Sequence, residues 1–115
     1  MREDWAFIVK YYKSEEYLGT FQAMCASRLA TSEWADRWFP STSHGCLVLS
    51  PTPDFNRRNE FPCICVFGEE GEARIEVWGA YGDSNSLSRF RLTQEVGLER
   101  LCSFLESYKK SREHK

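Results

Sequence analysis

Residues 61–80, FPCICVFGEEGEARIEVWGA, decide the fold: two apolar runs, 61–68 and 73–80, flank the polar connection Glu69-Glu70-Gly71-Glu72. Runs rich in β-branched and aromatic residues around so short a polar turn read as an antiparallel hairpin. A symmetric turn sets Val66 opposite Ile75 and Ile64 opposite Val77. Because strand side chains alternate, those residues form one apolar face, and Cys63, Cys65, Phe67, Arg74, Glu76 and Trp78 fall on the other.

Working outward, the loop 81–86 (YGDSNS) leads to a further run, 87–93 (LSRFRLT). A symmetric loop places Leu92 opposite Ile75 and Phe90 opposite Val77, so the first face stays apolar and invites helices. On the second face it pairs Glu76 with Arg91 as an ion pair and Trp78 with Arg89 as a cation-π contact. The run 46–50 (CLVLS), joined through 51–60, adds Cys46 and Val48 to the same second face, which therefore grades from apolar to charged. Cover by a helix or by the Trp34/Trp38 segment is the expectation for its apolar half; the alternative is a partner or self-association surface with an aromatic and arginine rim.

The remaining elements follow from composition and period. Residues 5–12 (WAFIVKYY) read as a first strand. Ser14, before Glu15 and Glu16, reads as the N-cap of a helix whose Leu18, Phe21, Cys25 and Leu29 share one face, with Tyr17 and Met24 beside them. Thr31-Ser32-Glu33 opens a short helix over 32–39 that sets Trp34 and Trp38 on one side, and Pro40 stops it. Thr93 or Gln94 opens a last helix lined by Leu98, Leu101, Leu105 and Tyr108. The expected architecture is one α+β domain over 1–115 in the order β-α-α-β-β-β-β-α, with about five antiparallel strands, helices on one face and a polar tail from about 109.

The 115 residues carry fifteen Lys and Arg against seventeen Asp and Glu, a net charge of -2, which argues against a general nucleic-acid binder. The segment 106–115 holds four bases and two acids, so the rest of the chain stands at -4 and suits a basic partner. The short run Ala6-Phe7-Ile8-Val9 is neither a signal-peptide core nor a membrane span, so a cytoplasmic location without membrane contact is expected. Five cysteines, an odd number scattered through apolar segments, read as reduced core thiols.

Chemistry finds little footing. His44-x-Cys46 and Cys63-x-Cys65 form the one constellation with soft metal ligands, but zinc ribbons use Cys-x-x-Cys knuckles, and the expected register sets His44 opposite Phe67. Neither metal nor cofactor is therefore expected. A Cys/His dyad with Cys46, Cys63 or Cys65 can be drawn, without any signature around the thiols. Nucleotide-binding, zinc-protease and hydrolase motifs are absent from the sequence.

Two loops are better suited to binding: 51–60, where Phe55 lies among Asp54, Arg57 and Arg58, and the acidic turn Glu69, Glu70, Glu72 taken with the Asp83 loop. Together with Glu76 and Trp78 these are the candidate partner-binding residues. A small acidic α+β chain with this surface (Phe55, Glu69, Glu70, Glu72, Glu76, Trp78, Asp83) resembles in format the bacterial immunity proteins. That resemblance implies a non-enzymatic inhibitor neutralising a basic toxin domain by stoichiometric binding. A dimeric secretion-chaperone-like protein, associating through the second sheet face, is the alternative; a thiol- or zinc-dependent enzyme is third.

Overall fold

The structure, a computed structural model, describes residues 1–14, 20–69, 71–80 and 82–113. Helices α1 (Glu3–Ser14) and α2 (Thr20–Ala30) precede a five-stranded antiparallel meander, and helix α3 (Gln94–Glu113) follows it. The strands are β1 (Phe39–Ser43), β2 (Cys46–Ser50), β3 (Cys63–Glu69), β4 (Glu72–Trp78) and β5 (Leu87–Thr93), each paired to the next in chain order. This is the expected α+β class with five antiparallel strands and a helical layer. All three helices pack on one face: α1 on β1, α2 on β2 and β3, and α3 on β4 and β5.

The leading element is a correction, since 5–12 is helical and the fifth strand is 39–43. Trp5, Ile8 and Tyr12 are buried and Phe7 is 67% exposed, the spacing of a helix rather than the alternation of a strand. Aromatic and β-branched content signals strand only where a half-buried pleated surface awaits it. Here Glu3 and Asp4 occupy the first turn and favour the helix through its dipole. Ser14, expected to cap the next helix, is instead the last residue of α1, and its hydroxyl donates to the Tyr11 carbonyl at 3.0 Å. Tyr17 and Leu18 lie outside the described residues; Phe21, Cys25 and Leu29 are buried together as the apolar spacing requires.

The 32–39 segment shortens to a 3-10 turn, Glu33–Asp36, with Ser32 accepting from the Trp34 amide at 3.1 Å. Trp34 and Trp38 both enter the helical-side core, so neither covers the second face. Beyond Trp38 the chain turns directly into β1, and the polar residues 41–45 complete that strand and supply its two-residue turn. His44 (φ 52) and Gly45 (φ 84) are both left-handed, as a tight hairpin between β1 and β2 requires.

The β3–β4 register is the one a symmetric turn predicts, Val66 opposite Ile75 and Ile64 opposite Val77. Across β4–β5 the pairing slides by two residues, to Ile75 with Phe90 and Glu76 with Arg89. A two-residue slide keeps every side chain on its expected face and changes only its partner. The cause is the loop: the pairing ends at Trp78 and Leu87, and a 3-10 turn, Ser84–Ser86, with Asp83 accepting from the Asn85 amide, lengthens the connection.

Phe21 locks the helical layer to the sheet. A Cβ at Gly97 of α3 would come within 2.7 Å of Phe21 Cζ and 2.9 Å of Ala73 Cβ, and one at Gly68 of β3 within 2.8 Å of Phe21 Cβ. With its side chain met at both ends, Cβ by Gly68 and Cζ by Gly97, Phe21 has nowhere to retreat. Gly97→Ala, which helix propensity alone would reward by about 1 kcal/mol, is therefore expected to destabilise the fold through overpacking worth about 1–3 kcal/mol. A urea titration checks the sign, and a more stable variant would show that the layer gives way.

Candidate binding site on the open sheet face

Opposite the helical layer lies a second, smaller apolar cluster of Val48, Cys63 and Cys65, with the half-buried Trp78 indole packed against it. The three belong to β2 and β3, where alternation turns them away from the helices. Beside this cluster is a cavity of about 250 Å³ lined by His44, Cys46, Val48, Cys65, Glu76 and Trp78, and bordered also by Ser43 and Gly82. Gly82 follows β4 and His44 precedes β2, positions at opposite ends of the sheet. For both to border one cavity, the β4–β5 loop folds back across the face.

The helices position the far wall. The Gly45 carbonyl accepts from the Tyr12 hydroxyl at 3.1 Å and from the Gln22 side-chain amide at 3.4 Å. Two buried side chains of α1 and α2 thus pin the turn carrying His44 to the cavity rim. On the opposite wall, Glu76 is 15% exposed and its carboxylate meets the Arg89 guanidinium at 2.8 Å and Arg74 at 3.8 Å. Arg74 also lies over the Phe67 ring at 4.7 Å. The expected Glu76–Arg91 pair is thereby corrected to Glu76–Arg89, and the partner of Trp78 across the sheet is Leu87 rather than Arg89.

Two of the thiols, those of Cys46 and Cys65, are held in their protonated form. Burial, reinforced by the neighbouring Cys65, pushes the Cys46 thiol up. Cys65 is pushed up by its hydrogen bond with Cys63 and by burial. A thiolate nucleophile is thus disfavoured at neutral pH. Nor does the His44, Cys46, Cys63, Cys65 set converge: among the described residues no group of three or more His, Cys, Asp or Glu is placed to hold a metal ion. Cys46 begins β2 at the end of the sheet where β3 finishes, whereas Cys63 begins β3 behind Trp78. About four strand residues, roughly 13 Å, separate those levels.

The expected loop cluster also divides. Glu72 is exposed at the β3–β4 turn, whereas Asp83 is exposed in the loop that leaves the other end of β4. Alternate connections of a meander lie at opposite ends, so the Asp83 loop leaves β4 at the end remote from the 69–72 turn. Within 51–62, Phe55–Glu60 form a 3-10 turn in which exposed Arg57 pairs with Glu60 at 2.7 Å. The side chains of Phe55, Arg58 and Glu69, and all of Glu70, lie outside what the structure describes. Of the candidates whose side chains are described, Glu76 and Trp78 are the two brought together at the cavity.

The exposed arginines of β5 stand outside the binding residues that the sequence singles out by number, beyond a place on an arginine rim. Their signal was present in the alternation Arg89-Phe90-Arg91, but the expected register gave each a partner. No helix is long and apolar enough to cross a membrane among the described residues. Comparison with known protein families, curated proteins and solved structures finds no match.

Proposed function

We propose that this chain is a binding protein that acts by stoichiometric occlusion of a protein partner, as an inhibitor neutralising a cognate toxin would. The observation that carries the reading is the character of the open-face cavity. Its thiols stay protonated, its carboxylate is bridged by two guanidinium groups, and its apolar floor ends in a half-buried tryptophan. Groups so neutralised are poor acids, bases or nucleophiles, whereas a tryptophan beside arginines and a recess is what interface anchors are made of.

The test is co-expression with the product of the neighbouring reading frame. The expected result is rescue of growth and a 1:1 complex in native mass spectrometry. Trp78→Leu, which keeps apolar cover over Cys63 and Cys65, is expected to weaken that complex about tenfold or more, as loss of a hot-spot aromatic does. Absence of both rescue and complex overturns the reading, and an unchanged affinity of the variant moves the contact off this face.

A further inference from the structure

We infer that β5 is a docking edge for an acidic extended segment of the partner, which adds to the sheet as a sixth strand. This rests on the binding-protein reading, and names the contact and the chemistry of what it takes.

The two edges of the sheet are built differently. At β1 none of the five residues is exposed, α1 packs alongside, and Pro40 lacks an amide hydrogen. At β5 Ser88, Arg89, Arg91 and Thr93 are exposed, there is no proline, and among the described residues β4 is its one strand neighbour.

Two hydrogen bonds fix which backbone groups look outward. The Gly79 amide donates to the Ser86 carbonyl and the Gln94 amide to the Gly71 carbonyl, both at 3.3 Å, immediately beyond the two ends of the β4–β5 register. Antiparallel pairs alternate between bonded and non-bonded. The bonded pairs inside the register are therefore Val77 with Ser88, Ile75 with Phe90 and Ala73 with Leu92. Arg89 and Arg91 occupy the non-bonded positions, so their N–H and C=O groups point away from β4, to the free edge.

The same two residues set the charge that edge selects. Arg91 stands directly opposite Arg74, and no carboxylate pairs with it among the described residues. Like charges opposite one another across a pair are unfavourable. An arriving carboxylate relieves that repulsion, whereas a second copy of β5 would add two more arginines. An antiparallel segment would meet Arg91, Arg89 and Leu87 in turn with side chains on one face, so the pattern that fits is acidic-x-acidic-x-apolar.

The experiment titrates the whole protein with a capped nine-residue peptide centred on Glu-Val-Glu-Val-Leu, against a control with Lys in place of both Glu. The expected result is saturable binding of the acidic peptide alone, with amide exchange at Arg89 and Arg91 slowed at least about tenfold and that of Phe90, already bonded, little changed. Arg91→Glu is expected to weaken the acidic peptide about tenfold and to admit the lysine peptide. Arg91→Pro, tolerable because that amide faces outward, is expected to abolish strand addition with the unfolding midpoint nearly unchanged. Equal binding of both peptides, or free exchange at Arg89 and Arg91 under millimolar acidic peptide, overturns the inference. If the full partner binds while those amides exchange freely, the binding-protein reading stands and this docking edge falls.

Discussion

Trp5→Ala is expected to lower stability by about 3–5 kcal/mol, a large part of the total of about 5–15 kcal/mol that a domain of this size holds. Trp5 is 0% exposed, and its indole N–H donates to the Ala35 carbonyl at 3.0 Å, joining α1 to the turn before β1. The same corner is closed by Arg2, whose guanidinium donates to the Trp38 carbonyl at 2.7 Å and lies 4.2 Å over the Phe39 ring. Truncation therefore opens a cavity and strips the Ala35 carbonyl of its donor at a point where two segments meet. Phe7→Ala is the informative comparison, because Phe7 is 67% exposed and its ring meets Tyr11 at 6.3 Å along the outer side of α1. Its expected effect is within about 0.5 kcal/mol. A strand over 5–12 would put Trp5 and Phe7 on one face and make the two losses similar. Urea titration followed by circular dichroism separates the outcomes, and equal losses would overturn the helical assignment.

Stability is expected to fall steeply above pH 9. In the unfolded chain the thiols ionise near their ordinary value of about 8.5. In the folded chain burial pushes Cys25 up to about 12, with Cys102 adding to the effect, and Cys46 and Cys65 are raised as well. Between those limits the folded state binds more protons than the unfolded state, so the free energy of unfolding decreases as pH rises. Each such thiol contributes a slope of up to about 1.4 kcal/mol per pH unit. The stabilisation is fully present below the unfolded value and is lost on approach to the folded one. Denaturant titrations between pH 8 and 10.5 under reducing conditions measure the slope. Cys25→Ala is expected to flatten it by about one thiol's share, whatever its own cost at neutral pH. A level profile for the parent chain would mean that these thiols ionise in place.

Much of the sheet was legible because its signals are local. The run 61–80 carries its turn between two alternating apolar segments, and Val66 meets Ile75 as written. The β4–β5 pairing was legible only to the correct face, because face depends on parity while partner depends on how many residues the loop absorbs. The strand β1 was hidden in FPSTS, whose residues after Phe39 are polar or proline and gain strand structure from β2 and from α1 above it. Its turn signal, glycine after a histidine that adopts φ 52, lacked the usual asparagine or aspartate. At the candidate site the sequence placed Glu76 and Trp78 on the second face. It could not know that Glu76 would be bridged by Arg89 and Arg74 or that Gly82 would return across the cavity.

The sequence by itself determined the class, the alternation that gives the sheet two unlike faces, and the apolar spacing of α2 and α3. Those properties are set by neighbours a few residues away. The tertiary structure decided that 5–12 is a helix, that Cys63 stands apart from Cys46, and that Arg89 and Arg91 offer their backbone to a free edge. Each depends on which distant segment supplies the buried surface, the opposite charge or the hydrogen-bond partner, and no local spacing encodes that choice.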